Sequence, residues 1–175
     1  RRLAEDDGRS IAYRRAFDEA LLRWELDHFR EWGVEAVSGP MSAGDRAALD
    51  RHFDALAREL ASVPKGFVHR DYQSRNLMWA ERDGRDALVV IDFQDALVGP
   101  RCYDLVALLC DSYVDVSEPL QDEMIARYTE RAGLRGGAAA DFTREFWLQA
   151  VQRKLKDAGR FIFIDRVKKN PSFLP

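Results

Sequence analysis

The sequence predicts an α+β fold that is mostly helical and contains one small β-hairpin. Apolar residues recur three or four positions apart over long stretches in both halves of the chain, as on the buried face of a helix. Between those stretches, two short apolar runs flank Asp83-Gly84, a dipeptide typical of tight hairpin turns. The 175 residues, 46% hydrophobic and 33% charged, are enough for a domain with its own core.

The part of the chain before the hairpin is predicted to be helical. Ser42 is followed three residues later by Asp45, a variant of the capping box that starts many helices. Glycine and proline mark the places where the helical pattern stops. The elements expected here are, in order, a charged linker over residues 1–12, a helix from Tyr13 to Trp32 stopped by Gly33, a loop over residues 34–42, and a helix that ends near Ser62.

The middle of the chain is predicted to carry three short strands and a turn. The last strand is a continuous apolar run, which is typical of a strand buried on both faces, and it delivers Asp92 at its end. The elements expected here are strands at Phe67–Val68, Leu77–Ala80 and Ala87–Ile91, with a break in the chain at Gly99–Pro100.

The remainder of the chain is predicted to return to helix. The cluster of Gly133, Gly136 and Gly137 reads as a loop between helices and not as a phosphate-binding turn. The elements expected here are helices at 103–113, 117–132 and 140–158, an ambiguous apolar segment at 161–164, and an irregular end over 170–175.

Composition excludes several classes of protein. The net charge is −3 and no basic stripe is interleaved with aromatic residues, which argues against a nucleic-acid partner. The uncharged apolar runs are far too short to span a membrane, and no signal peptide is recognisable. Cys102 and Cys110 have neither the number nor the spacing of a disulfide framework or metal site. Two reduced thiols in or near the core indicate a cytoplasmic protein.

Two segments carry the chemistry. The first reads His69-Arg70-Asp71, with Asn76 five positions after the aspartate, and the second places Asp92 sixteen residues beyond Asn76 at the end of a strand. Phosphoryl transfer needs a positioned acceptor, neutralisation of charge by a metal ion, and a group that takes the acceptor's proton. Asp71 suits the last task, and the oxygens of Asn76 and Asp92 suit Mg²⁺. We therefore expect a site for ATP and Mg²⁺, in which His69 and Arg70 support the loop.

The sequence resembles the aminoglycoside phosphotransferase and choline kinase superfamily. The segments that carry the resemblance are residues 68–78 and residues 90–105, and the likeness extends over roughly residues 13–160. Within the superfamily the chain is most similar to bacterial kinases that phosphorylate the anomeric hydroxyl of N-acetylmuramate and N-acetylglucosamine. The implied product is a sugar 1-phosphate of the kind used in recycling of the cell wall.

The resemblance also implies roles for individual residues. Asp71 would be the catalytic base, and Asn76 and Asp92 would hold Mg²⁺ and the nucleotide. Asp104 would open the following helix and brace the catalytic loop from beneath, where a helix N-terminus favours a carboxylate. Asp95 would either cap the loop at the surface or lie on the acceptor side.

A protein kinase fits the spacing poorly. Only eleven residues separate Asp92 from Asp104, which leaves no room for an activation loop, and Gln94 stands where D-F-G has its glycine. We therefore expect a small-molecule acceptor. An aminoglycoside or choline-type acceptor remains open, as does a non-catalytic binding module that retains a kinase-like fold.

One departure from the superfamily concerns the region before His69. Kinase-like proteins carry a glycine-rich turn and a lysine on a strand before the catalytic loop, and neither is recognisable in the 68 residues there. We therefore expect residues 13–175 to form only the C-terminal lobe, with the N-terminal nucleotide lobe absent. Such a chain would be weak or inactive alone, and its uncovered surface would favour self-association.

Overall fold

The computed structural model describes residues 10–173, which are mostly α-helical with two small antiparallel sheets. This confirms the predicted fold class. The described residues form two compact units, one of residues 10–16 and 63–150 and the other of residues 17–62 and 151–173. Most of the expected linker lies outside the described residues, but Ile11–Arg14 already form a 3₁₀ turn in which Ala12 is buried. No helix within residues 10–173 is both long enough and apolar enough to cross a membrane.

The first unit contains both sheets. Strands β1 and β4 pair antiparallel, with Val68 opposite Leu97 and Lys65 opposite Pro100. The prediction of a chain break at Gly99–Pro100 is therefore wrong. Proline has no backbone N–H to donate, but it is tolerated at the end of an edge strand, which is where Pro100 lies. The strands are β1 Lys65–Val68, β2 Leu77–Arg82, β3 Arg85–Val90 and β4 Leu97–Pro100.

Strands β2 and β3 form the predicted hairpin. Asp83 and Gly84 have positive φ values of 53° and 71°, as the tight two-residue turn requires. The expectation that the strand at Ala87–Ile91 is buried is wrong, because Leu88, Val89 and Ile91 are 52%, 38% and 41% exposed. Within the described residues this hairpin pairs only with itself, so an apolar run did not imply a covering layer.

Helices complete the first unit around an apolar core. Both free cysteines are buried in this core, and burial raises the pKa of the Cys102 thiol to about 12. Arg101, two residues before the start of α4, donates two hydrogen bonds of 2.8 and 2.9 Å to Glu145 of α6. The helices are α4 Tyr103–Leu109, α5 Glu118–Arg131 and α6 Gly137–Lys168, and the core combines Cys102, Val106, Leu109, Cys110, Ile125, Phe142, Phe146 and Ala150.

Helices α4 and α6 differ from the predicted bounds. Helix α4 stops at Leu109 and not at Tyr113, because Asp111 accepts a hydrogen bond from the backbone N–H of Tyr113 and so forms a turn. Helix α6 is longer than predicted at both ends and includes the ambiguous apolar segment Phe161 to Ile164. Gly133 and Gly136 lie in the loop before α6, as predicted, whereas Gly137 is the first residue of that helix.

The second unit is formed by helices alone and includes the second half of α6. Ser42 caps α3 as predicted, since its Oγ accepts from the N–H of Asp45 at 3.1 Å. The preceding helix starts later than predicted, where the Asp18 carboxylate accepts from the N–H of Leu21 at 2.8 Å. The helices are α1 Glu19–Phe29, α2 Ala36–Ser38 and α3 Ala43–Ser62, with a π-helical segment Arg30–Glu35 between the first two.

Gly33 does not stop the first helix, contrary to the prediction. It lies inside the π-helical segment, and the helical course continues to Gly39, whose φ of 87° ends it. A Cβ atom on Gly33 would lie 2.5 Å from the Phe29 ring. Glycine is needed here for the close approach of a side chain, which the sequence pattern alone does not distinguish from a stop signal.

Candidate active site

Residues 69–76 connect β1 to β2, and we call them the catalytic loop. Its start is fixed by Asp104 in the first turn of α4. The Asp104 carboxylate accepts hydrogen bonds from the backbone N–H of His69 at 2.7 Å and from that of Arg70 at 3.0 Å. Arg70 has a φ of 77°, a conformation that non-glycine residues rarely adopt. One carboxylate therefore secures a sharp turn directly before Asp71.

The two ends of the loop are joined by Asn76. Its side-chain Nδ2 donates to the backbone oxygen of Asp71 at 2.8 Å, and Gln73 N–H donates to the same oxygen at 3.0 Å. A short 3₁₀ turn, Ser74–Asn76, completes the loop. The five-residue spacing thus brings Asp71 and Asn76 together in space.

Asp92 joins this pair from the end of the hairpin. The N–H of Ile91 donates to the backbone oxygen of Asn76 at 3.1 Å, which continues the pairing of the two strands by one residue. One Asp92 carboxylate oxygen lies 3.5 Å from Asn76 Nδ2, and the other accepts from Gln94 Nε2 at 2.7 Å. Asp71, Asn76 and Asp92 therefore converge, although the third is sixteen residues from the second.

The donor set at this point is one suited to a hard cation. Because Asn76 Nδ2 is committed to the backbone of Asp71, the Oδ1 atom is the part of that amide left to act as a ligand. Asp92 adds carboxylate oxygens, and Mg²⁺ prefers such ligands. Among residues 10–173 no group of three His, Cys, Asp or Glu side chains is placed to hold a metal. A magnesium ion at Asn76 and Asp92 would therefore share its coordination with phosphate and water.

His69 and Arg70 contact the rest of the site through their backbones. The His69 side chain is buried, yet neither ring nitrogen has a hydrogen-bond partner among the described residues. Its ring meets the Tyr72 ring edge-on, with the centroids 6.0 Å apart. The backbone N–H groups of His69 and Arg70, and not the His69 ring, make the hydrogen bonds to Asp104.

Asp95 lies in the turn after Asp92 and is paired with Arg15. The two side chains are 3.4 Å apart, and Arg15 also donates to the backbone oxygen of Gln94 at 3.3 Å. Both charged groups are more than a third exposed, which limits the stability gained from the pair. The contact fits the interpretation that Asp95 caps this turn, and a place on the acceptor side stays a prediction.

Asp111 also belongs to the site, although it lies outside the two segments that predicted the site. Its buried carboxylate accepts from the N–H of Ser74 at 2.7 Å and from the N–H of Tyr113 at 2.9 Å. Above the Tyr113 ring lies the guanidinium of Arg75, 3.7 Å from the ring centroid. The available signal was the spacing of seven between Asp104 and Asp111, which corresponds to two turns of the helix predicted over residues 103–113 and would place both on one side of that helix.

Comparisons with a protein-family model and with curated proteins point to the same family. The model of the phosphotransferase enzyme family (APH) matches residues 6–146. The N-acetylmuramate/N-acetylglucosamine kinase of Pseudomonas aeruginosa is 38% identical over 164 residues, which are 91% of this chain and 47% of the relative. The enzyme of the same name from Neisseria meningitidis serogroup B is 40% identical over 148 residues, or 82% of this chain and 43% of the relative. The chain therefore spans about half the length of the curated relatives that it matches.

Proposed function

The chain belongs to the phosphotransferase enzyme family, and we propose that it carries the catalytic loop and metal ligands of an ATP- and Mg²⁺-dependent sugar kinase. The acceptor is the anomeric hydroxyl of N-acetylmuramate or N-acetylglucosamine, and the product is the sugar 1-phosphate. The observation that carries the proposal is the convergence of Asp71, Asn76 and Asp92, joined by hydrogen bonds of 2.8 and 3.5 Å. The family match also confirms the superfamily resemblance found in the sequence.

Asp71 is the group that handles the proton. Its carboxylate accepts the proton of the anomeric hydroxyl while that oxygen forms a bond to the γ-phosphorus of ATP. The bond between this phosphorus and the bridging oxygen breaks, and ADP leaves with the electron pair. Asp71 then releases the proton to water. The backbone N–H groups of His69 and Arg70 donate to the Asp104 carboxylate, and these hydrogen bonds hold the turn before Asp71 in place during these events.

Asn76 and Asp92 are the residues that would hold the metal ion. When bound, Mg²⁺ would neutralise charge on the phosphate oxygens. The roles of the two residues differ, since the Asn76 amide also closes the loop on Asp71. Asp92 has a φ of 70°, and its carboxylate is held by a hydrogen bond from Gln94 Nε2.

The nature of the acceptor is supported by the relatives. Both matched enzymes are named as kinases of N-acetylmuramate and N-acetylglucosamine, at 38% and 40% identity. Because the reaction consumes ATP, we place it in the cytoplasm. Aminoglycosides and choline are the alternative acceptors, and a binding module without turnover is the alternative function.

The test is a parallel assay of phosphate transfer from ATP to N-acetylmuramate, N-acetylglucosamine, choline and kanamycin. It uses the chain joined to an N-terminal nucleotide lobe, because the chain alone is expected to be weak or inactive. We expect turnover with the two amino sugars, and ³¹P NMR should identify a 1-phosphate. Asp71→Asn should lower kcat at least about a hundredfold, the usual scale for a lost general base. Asp92→Asn should weaken Mg²⁺-dependent binding of ATP.

Asp122→Asn, at an exposed position on α5, is the matched control and should retain full activity. Turnover only with kanamycin or choline would replace the acceptor that we propose. Near-normal activity of Asp71→Asn would contradict the role of that carboxylate.

A further inference from the structure

Arg75 lies on the catalytic loop but has no part in the chemistry described so far. It directly precedes Asn76, and consecutive Cα atoms are about 3.8 Å apart. Asn76 in turn contacts both Asp71 and Asp92. The Arg75 residue is exposed. A positive charge thus emerges at the surface of the loop that holds the proposed base and metal ligands.

The position of this charge is fixed from both sides. The Arg75 guanidinium is 3.7 Å from the centroid of the Tyr113 ring, close enough for a cation–π contact. The backbone N–H groups of Tyr113 and of Ser74, which precedes Arg75, both donate to the buried carboxylate of Asp111. An arginine held in this way loses less conformational entropy when it binds a ligand than a mobile one.

The guanidinium is also suited to an anion that approaches along its edge. Contact with an aromatic ring uses the face of the group, whereas its five N–H donors lie in its plane. Those donors match the two oxygens of a carboxylate.

The charge of the site explains why an acceptor would need such a contact. Asp71 and Asp92 are both carboxylates, so an acceptor that carries its own negative charge is repelled by them. N-acetylmuramate differs from N-acetylglucosamine by a lactyl ether that ends in a carboxylate. A fixed cation on the loop that carries Asp71 would offset the repulsion for the charged sugar and matter little for the neutral one.

We propose that Arg75, held over Tyr113, binds the lactyl carboxylate of N-acetylmuramate and is a specificity-determining residue for that acceptor. The inference rests on the proposed function, because it assumes that both amino sugars are substrates of the same site.

The two sugars give the experiment its internal control. For Arg75→Gln we expect KM for N-acetylmuramate to rise about tenfold or more, since the variant loses hydrogen bonds between two charged groups. KM for N-acetylglucosamine should change by less than about twofold, and kcat should be preserved for both. Arg75→Lys, which keeps the charge but not the planar fork, should recover part of the loss.

Two further variants test the role of the Tyr113 ring and the effect of an arginine-to-glutamine change elsewhere on the surface. Tyr113→Leu removes the aromatic ring and should shift KM in the same selective way as Arg75→Gln, but less. Arg127→Gln, at an exposed position on α5, makes the same chemical change away from the loop and should alter neither KM.

The outcomes separate this inference from the function on which it rests. An equal loss with both sugars would show that Arg75 only shapes the loop, and unchanged KM values would show that it does not contact the acceptor. Either result overturns the inference and leaves the kinase assignment intact. A wild-type protein that includes the nucleotide lobe and phosphorylates neither sugar would overturn the proposed function and this inference with it.

Discussion

Removal of the Asp111 carboxylate should destabilise the protein and impair the catalytic loop together. Asp111→Ala leaves the N–H groups of Ser74 and Tyr113, now bonded at 2.7 and 2.9 Å, without their acceptor. Hydrogen bonds to charged groups contribute roughly 1.5–3 kcal/mol each. Partial access of water to these donors favours the lower end of that range, so we expect a loss of about 3 kcal/mol. For a chain of this length that lowers Tm by roughly 6–12 °C.

The assay combines urea unfolding with steady-state kinetics. We expect kcat to fall about 10- to 100-fold, because a displaced loop misaligns the reacting groups, while KM for ATP changes little. Asp111→Asn, which retains one acceptor oxygen, should lose about half as much stability. Asp122→Ala at an exposed position on α5 serves as the control and should stay within about 0.5 kcal/mol of the wild type. If Asp111→Ala matched this control in stability and in kcat, the contacts with Ser74 and Tyr113 would not position the loop.

Two further predictions concern the helical unit. Burial, reinforced by Arg160, lowers the pKa of His28, so the unfolded state takes up the proton first as the pH falls. The free energy of unfolding, measured in urea, should therefore be fully retained above about pH 6.5 and decline as the pH falls from there through the lower pKa of the folded state. His28→Gln should flatten this decline, whereas the same change at exposed His52 should not. Gly159→Ala should cost about 3 kcal/mol or more, because its Cβ would lie 2.6 Å from a backbone atom of α1. Gly44→Ala, where the nearest atom would be 3.8 Å away, is the matched control, and a similar Tm for both variants would contradict the steric argument.

The features that the sequence predicted well are those set by neighbours along the chain. Ser42 caps its helix by contacts within three residues, and Asp83 with Gly84 turns a hairpin through its own backbone angles. The loop from Asp71 to Asn76 closes on itself for the same reason. Such contacts depend on spacing, and spacing can be read from the sequence.

The features that escaped prediction depend on what a residue meets from a distant part of the chain. Gly33 carries a glycine signal that is typical of a helix end, but its cause is the Phe29 ring packed against it. Strand β3 is exposed although it carries an apolar run that is typical of a buried strand. Asp111 was given no role from the sequence, because its partner at Ser74 is 37 positions away. The polarity of single residues and the periodicity of the hydrophobic pattern did not identify the residues that they contact.

The strained backbone of the site gives a reason for the carboxylates beneath the loop. Arg70 and Asp92 both adopt positive φ, at 77° and 70°, and such a conformation costs of order 1–3 kcal/mol for a residue with a side chain. Aspartate tolerates it better than arginine, since its short side chain can bond locally. The strain at Arg70 therefore needs compensation, and the hydrogen bonds from His69 and Arg70 to Asp104 are of the right size, at roughly 1.5–3 kcal/mol each. Helix α4, packed in the core, thus stabilises a turn that the catalytic loop would not hold by itself.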